Sequence, residues 1–353
     1  MEIQIGNIKL TKRGKPCFIA DIAANHDGDL DRAFKLIELA KEAGADVAKF
    51  QNFHASKIVS KNGFDSMPKQ THQSSWKKSV YEVYEDASLN DDWNYKLKAK
   101  CDEVGIEYMT SPYDFESIDS VDPLLNAYKI GSGDITWTEI LRYIAKKNKP
   151  VLLATGASSM QDVDRAVDTI LEYNPNLVLM QCNTNYTASV ENFKHINLNV
   201  LRRFEEKYPQ LILGLSDHTK GYATVLGAIA LGAVVIEKHF TDDNDRVGPD
   251  HKFSITPKDW KQMVCEANNL WLSMGDGVKR VEDNEQATVV VQRRALYTVR
   301  DLKKGDILTE EDVFPLRPCT EYGILPYDLE KILGKELKVD VDKDTCLKWE
   351  DFR

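Results

Sequence analysis

Gly214-Leu215-Ser216-Asp217-His218-Thr219 and Ile236-Glu237-Lys238-His239-Phe240 decide how this chain reads. Each ends a short, apolar, β-rich run with a histidine, and the Ala/Gly/Leu stretch at 222–232 between them reads as one helix. Strand, helix, strand in that order predicts two consecutive parallel strands that carry two imidazoles to the same rim of a sheet or barrel. Imidazole suits manganese, zinc, iron, cobalt and nickel, and a divalent ion held by only two protein donors keeps positions open for substrate. A lone histidine reads more simply as a polar loop residue. Two in register at successive strand ends, each beside acidic residues, read as a metal site.

Outward from that pair, the same alternation runs from residue 18 to about 273. Short β-rich runs at 18–23, 46–51, 106–111, 127–130, 151–155, 177–181, 212–216 and 234–239 alternate with amphipathic stretches. The helical stretches fall at about 30–43, 88–104, 114–122, 136–147, 159–172, 196–207, 222–231 and 257–273. In the first, Leu30, Ala33, Leu36, Ile37 and Ala40 line one face and Gly44 supplies the stop. Thr256-Pro257 supplies an N-cap and a first-turn proline for the last. Eight such units predict an α/β fold, a (β/α)8 TIM barrel of about 250 residues. A doubly wound sheet is the alternative, but no Gly-x-Gly-x-x-Gly follows an early strand.

Residues 1–17 read as a β-hairpin turning at Thr11-Lys12-Arg13-Gly14-Lys15, placed as a plug across the N-terminal mouth of the barrel. The barrel is expected over 18–275. The polar, aromatic insertion at 52–87 leaves the second strand on the active-site rim and reads as a substrate-facing loop. Gly275-Asp276-Gly277 and the charges that follow read as a linker over 276–287, and short strands with tight turns over 288–353 read as a small β-rich domain.

The formal net charge of −10 argues against nucleic acid or an anionic membrane as partner. No charged-then-apolar leader opens the chain and no apolar stretch is long enough to span a bilayer, so a soluble, cytoplasmic protein is expected. Six cysteines without CxxC spacing read as reduced residues, neither a disulfide framework nor a zinc site.

In such a barrel the C-terminal ends of the strands build the active site. Those ends hold Asp21, Asn25 and His26; Lys49 and Gln51; Ser111; Lys129, Ser132 and Asp134; Thr155 and Gly156; Cys182 to Tyr186; Ser216, Asp217 and His218; and Glu237 and His239. Two lysines, several hydroxyls and a Gly131-Ser132-Gly133 turn make an anion site for phosphate or carboxylate. Lys49 or Lys129 could instead be the nucleophile of a Schiff-base barrel aldolase, a chemistry for which a metal would be redundant. Metal beside anion site implies a small phosphorylated substrate next to a Lewis acid. Asp21, Asp134, Glu237 and Asp250 are candidates to hold hydroxyls or move protons, and Asp134 has helix N-capping as its plain structural role.

Several strings then become familiar. They are Phe-Ile-Ala-Asp-Ile-Ala-Ala-Asn-His-Asp-Gly (18–28), Val-Ala-Lys-Phe-Gln (47–51), Tyr-Lys-Ile-Gly-Ser-Gly-Asp (128–134), Leu-Ser-Asp-His-Thr (215–219), Glu-Lys-His-Phe-Thr (237–241) and Gly-Pro-Asp-His-Lys (248–252). In order, they resemble the sialic acid synthase family, the N-acetylneuraminate and related nonulosonic acid synthases. The tail, with Asp-Leu-Lys-Lys-Gly-Asp (301–306) and Leu-Arg-Pro (316–318), resembles the family's antifreeze-like (SAF, β-clip) domain.

The resemblance implies condensation of phosphoenolpyruvate with an open-chain N-acetylated amino sugar. It implies a divalent metal on His218 and His239, usually manganese, with magnesium or cobalt as substitutes. Lys49, Ser111, Lys129, Ser132 and Ser216 would bind phosphoenolpyruvate. Gln51, Tyr186 and Asp250 would contact the sugar, and Glu237 would support the metal site. Catalysis would rest on Asp21, Lys49, Lys129, Asp134 and Glu237. The resemblance further implies a homodimer in which the antifreeze-like domain caps the partner's barrel, with Arg317 reaching its site. The chain departs from the family at Asp21 and Asp134, where glutamates are common, at Ala154 and Thr184, around Arg317, and in the 52–87 insertion.

Overall fold

The computed structural model describes residues 2–68, 73 and 76–353. Two compact units divide at Gly275/Asp276. In the first, strands β1 (Glu2–Ile5) and β2 (Ile8–Thr11) form an antiparallel hairpin, and eight parallel strands form the barrel. These are β3 (Cys17–Asp21), β4 (Val47–Asn52), β5 (Glu107–Pro112), β6 (Tyr128–Ile130), β7 (Val151–Ala154), β8 (Leu177–Cys182), β9 (Ile212–Asp217) and β10 (Ala233–His239). Each ladder joins neighbours in sequence, β10 pairs back onto β3, and β5 and β6 adjoin at the seam of a nearly closed barrel.

Strand alternation sorts the residues. In β3, Phe18 and Ala20 face the surrounding helices, while Cys17 and Ile19 face the barrel interior. Val47, Met109, Leu152, Val178, Met180, Ile212 and Val235 join that interior layer, and Ile3, Ile5 and Leu10 of the hairpin pack onto it. The hairpin is therefore the expected plug, and it caps the apolar end of the lumen. Further along the strands, the inward positions turn polar: Asp21, Lys49, Ser111, Lys129, Ser216 and Glu237, all buried.

The helices obey their local signals. Asp29 accepts from the Asp31 and Arg32 amides and starts the helix Leu30–Glu42, which buries Ala33, Leu36, Ile37 and Ala40. Pro257 opens the helix Pro257–Ser273. Others begin later than the periodicity suggests: the stretch expected from 88 is helical over Trp93–Val104, and that expected from 196 over Val200–Lys207. Both are preceded by polar turn residues.

Two expectations need correction. The hairpin turns at Gly6-Asn7, where Gly6 has φ +53°, and not at Thr11–Lys15. A Cβ on Gly6 would lie 2.1 Å from a carboxylate oxygen of Glu107, which would have to swing aside, so glycine suits both the positive φ and this approach. The Thr11–Lys15 segment makes its own tight turn, Gly14 N–H to Thr11 carbonyl at 2.9 Å, which feeds β3. The insertion is no plain loop: its described part holds the helices Ala55–Ile58, Lys61–Asp65 and Val80–Ala87, while 69–72 and 74–75 lie outside the described residues.

In the second unit, β11 (Ala295–Thr298) pairs antiparallel with β12 (Val313–Leu316) over a core of Leu296, Leu302, Leu308, Val313, Ile324, Ile332, Leu337 and Leu347. The expected linker runs into an exposed helix, Gln286–Gln292. All six cysteines are unpaired. No helix among the described residues is long and apolar enough to cross a membrane.

Asp217 and Lys238 lie opposite each other in the β9–β10 ladder and point away from the lumen. Their side chains meet at 2.5 Å, each 1% exposed, and Thr219, Thr224 and the Thr219 carbonyl complete the network. Removing one partner strands a buried charge, which costs about 3–5 kcal/mol. Lys238→Met should therefore lower the thermal midpoint sharply, and adding Asp217→Asn should recover most of the loss. Equal midpoints for Lys238→Met and the parent would contradict the assignment.

Candidate active site

The polar layer at the C-terminal end of the barrel follows from register. Asp21 lies opposite both Lys49 and His239, and Glu237 lies opposite Ser216. Lys49 Nζ is 2.7 Å from Asp21 Oδ2 and 4.0 Å from Glu237 Oε2. Lys129 Nζ is 3.3 Å from Glu237 Oε1, to which Ser216 Oγ also donates at 3.1 Å. Burial opposes the Lys49 charge, but Asp21 and Glu237 outweigh it and hold the ammonium above the ordinary lysine range. Burial likewise resists ionisation of Glu237, yet Lys129, Lys49 and His239 draw it down to about 2. The layer thus pairs two lysines with an ionised Glu237, all of them buried.

His218 and His239 stand beside it with ring centroids 5.4 Å apart. Burial, foremost, lowers both imidazoles to about 4, so both are neutral near pH 7. His218 Nδ1 lies 2.9 Å from the Asn183 carbonyl, which can only accept; its proton therefore sits on Nδ1 and Nε2 keeps a lone pair. His239 lies with Nε2 3.5 Å from Asp21 Oδ2 and Nδ1 3.7 Å from Asp250 Oδ2. Phe253 packs on both rings, at 5.9 and 4.9 Å, and Tyr186 packs edge-on against His218 at 4.5 Å.

Several buried polar atoms here lack a hydrogen-bond partner: Asp21 Oδ1, Ser111 Oγ, Glu237 Oε2 and His239 Nδ1. Such atoms are costly unless something meets them. Two neutral imidazoles this close, with orphaned acceptors beside them, fit a divalent cation. Among the described residues no three or more His, Cys, Asp or Glu side chains form a closed cage, so an ion here would keep open positions.

A cavity of about 390 Å³ opens above the layer, in the range of small-molecule sites. Gln51, Ser132, Asp134, Tyr186, His239 and Asp250 line it. Gln51 Nε2 donates to Asp21 at 3.5 Å. Ser132 Oγ accepts from the Gly156 amide at 2.9 Å, and a Cβ on Gly156 would fall 2.5 Å from Thr184, so the approach depends on glycine. Asp134 caps no helix: the following one, Thr138–Ala145, has Trp137 at its N-cap and no side-chain cap.

Of the strand-end residues, Asn25, His26, Thr155 and Asp217 do not join this site. Asn25 donates to the Phe240 carbonyl and Ser254, and His26 packs on Trp93. Thr155 donates to the Met180 carbonyl, and Asp217 faces Lys238. Arg317 belongs to the second unit, where it is exposed. Sequence reading turned the insertion that holds Phe53 and Tyr84 toward the substrate without naming either residue, and it missed Tyr113 of the cavity wall and Phe253 behind the histidines. Tyr113, one residue past β5, was the one recoverable from position.

Burial raises Asp134 to about 6, with Lys129 pulling the other way. A carboxyl raised from 3.8 binds a proton in the folded state that the unfolded chain has released, so it destabilises the fold as pH climbs through 3.8 to 6 and throughout the range above. Asp134→Asn should therefore stabilise the protein at pH 8, by about 2–3 kcal/mol before solvent screening, and change it little at pH 4. Equal gains at both pH values, by thermal unfolding, would refute the placement.

The pattern of the NeuB family matches residues 36–279, and that of the SAF domain residues 293–353. An N,N'-diacetyllegionaminic acid synthase of Legionella pneumophila is 36% identical over 98% of each chain. A pseudaminic acid synthase of Campylobacter jejuni is 34% identical over 99% of this chain and 100% of its own. The crystal structure of an N-acetylneuraminic acid synthetase from Leptospira borgpetersenii, in complex with citrate, superposes with a TM-score of 0.73 at 26% identity, covering 82% of this chain and 95% of that one. The barrel, its polar layer and the small β-rich unit that follows thus place this chain in the NeuB family, with a SAF domain at its C-terminal end.

Proposed function

We propose that this protein condenses phosphoenolpyruvate with the aldehyde of an open-chain N-acetylated amino sugar, giving a nonulosonic acid and phosphate. The observation that carries this reading is the buried layer of Lys49, Lys129, Asp21 and Glu237 beside two neutral imidazoles. Relatives that are synthases of legionaminic, pseudaminic and N-acetylneuraminic 9-phosphate acids support it.

Lys49 and Lys129 supply the positive charge for phosphoenolpyruvate, and Ser111, Ser132 and Ser216 supply hydroxyl donors around it. Gln51, Tyr186 and Asp250 face the cavity from the sugar's side. A divalent metal, manganese by resemblance, would be held by His218 and His239 and would supply Lewis-acid polarisation of the aldehyde. Carbon 3 of phosphoenolpyruvate bonds to the aldehyde carbon, whose oxygen takes a proton to become a hydroxyl. Positive charge develops on carbon 2, and the carboxyl groups of Asp21 and Glu237 face it. Water adds there, Asp134 is placed to take its proton, and the carbon–oxygen bond to phosphate breaks. One water is consumed for each phosphate released.

The Schiff-base alternative needs a neutral amine. Lys49 is held as an ammonium against Asp21 at 2.7 Å, and Lys129 lies 3.3 Å from Glu237. For Lys49 that pairing favours charge over nucleophilicity.

Bridging-oxygen labelling tests the bond cleaved. Phosphate released from phosphoenolpyruvate labelled at its C–O–P oxygen should carry the label; label left in the organic acid would end this reading. EDTA should abolish phosphate release and Mn(II) restore it, while His239→Ala should cut turnover at least about a hundredfold. Full activity of the metal-stripped enzyme would refute the metal assignment. We also propose a cytoplasmic homodimer in which the SAF domain of one copy brings Arg317 to the barrel of the other. Arg317→Ala should then raise the KM for the sugar about tenfold without unfolding the barrel; an unchanged KM would remove the arginine from the site.

A further inference from the structure

Asp250 and Phe253 reach the histidine pair from the loop after β10, residues 241–254, which is irregular apart from the turn His251–Phe253. Asp250 Oδ2 lies 3.7 Å from His239 Nδ1, and the Phe253 ring centroid lies 4.9 Å from that of His239. The base of the loop is closed by backbone alone. The Ile255 amide donates to the His239 carbonyl at 2.8 Å, and the Thr241 amide to the Ile255 carbonyl at 3.1 Å. A closed base fixes where the loop starts and ends, not where its middle stands.

The middle is held by the loop after β3. His251 is buried, with Nε2 2.8 Å from Asp27 Oδ1 and Nδ1 2.7 Å from the Thr241 hydroxyl. A carboxylate oxygen only accepts, so Nε2 carries the proton. The other oxygen of Asp27 takes Arg246 at 2.7 Å and Arg32 at 3.1 Å, and Arg32 forks onto Asp242 at 2.6 and 3.0 Å. Burial resists ionisation of Asp27, but the hydrogen bonds from His251 and Arg246 outweigh it and hold the carboxyl below its ordinary range.

Two backbone features serve the same contact. Asp27 holds φ +53°, a left-handed conformation in which non-glycine residues are uncommon. A Cβ on Gly248 would fall 2.7 Å from the His251 ring, which is buried and bonded at both nitrogens and has no room to yield. Backbone strain of this kind persists where the surroundings over-determine it. Asp27, Arg32, Arg246 and His251 themselves do not line the cavity, whereas Pro249 and Asp250 do.

On the reading that Asp250 contacts the sugar, we infer that Asp27 is a positioning residue. Its bond to His251 sets where the Asp250 carboxylate and the Phe253 ring stand against His239, and so how tightly the acceptor is held.

The test uses the full-length enzyme with Mn(II), phosphoenolpyruvate and two acceptors, N-acetylmannosamine and 2,4-diacetamido-2,4,6-trideoxymannose. Asp27→Gly removes the carboxylate and suits the positive φ, while Asp27→Asn keeps an oxygen for His251 and tolerates that φ. With whichever sugar the parent turns over, Asp27→Gly should raise the acceptor KM about ten- to a hundredfold and move the KM for phosphoenolpyruvate little. Asp27→Asn should stay close to the parent. An acceptor KM that is unchanged in Asp27→Gly, or that rises in step with the KM for phosphoenolpyruvate, overturns the inference and leaves the condensation reading intact. Amide hydrogen exchange reads the same contact without turnover. Residues 241–254 should lose protection in Asp27→Gly and keep it in Asp27→Asn, with the barrel strands unchanged; equal protection of that loop in Asp27→Gly and the parent also overturns the inference. No phosphate from the parent with either sugar overturns the condensation reading, and the exchange result then still decides whether Asp27 holds the loop of Asp250.

Discussion

Asp21, Lys49, Lys129 and Glu237 hold four ionisable groups within a few ångströms of one another, all at most 4% exposed. Desolvation of such groups costs several kcal/mol each, and only close pairing offsets it. That constraint shapes the rest of the barrel. The four side chains come from four different strands, so their pairing holds only if the ladders keep register; a slip of one residue would turn every one of them onto the helices. The apolar layer below, closed by Ile3, Ile5 and Leu10, keeps water from the other end of the lumen. The hairpin is therefore coupled to chemistry it never touches.

The β9–β10 pair shows how one stretch of sequence serves two ends. Ser216, Glu237 and His239 face inward, while their chain neighbours Asp217 and Lys238 face outward and pair with each other. Consecutive polar residues in a fully buried strand alternate between lumen and helix layer. The inner set leaves atoms unsatisfied and open to a ligand. The outer set is fully bonded and carries stability.

Much of this was legible from residue order. Eight apolar runs, each followed by an amphipathic stretch, specify a closed parallel barrel, and the C-terminal rim rule then selects Lys49, Lys129, His218 and His239. Asn25, His26 and Thr155 sit at the same rim and satisfy the same rule, yet Asn25 bonds the Phe240 carbonyl and Ser254, Thr155 bonds the Met180 carbonyl, and His26 packs on Trp93. Position along a strand says which end a residue occupies; it does not say what its side chain finds there. The hairpin turn was misplaced because Lys12-Arg13-Gly14 is the stronger local turn signal, while Gly6-Asn7 is favoured by a tertiary fact, the approach of Glu107.

Spacing and strand-end position determined by themselves the fold class and most of the charged layer, and the motif strings, by resemblance, pointed to the family. These are properties of period and order, and they survive without coordinates. Tertiary structure alone decided which ions pair, which imidazole nitrogen is committed to Asn183, and that Asp134 faces a cavity instead of capping a helix. It also decided that Phe53, Ile58, Val83 and Tyr84, indistinguishable in sequence from ordinary core residues, line the cavity. Their place depends on where a folded insertion rests against the rim, a long-range packing outcome that no local pattern encodes.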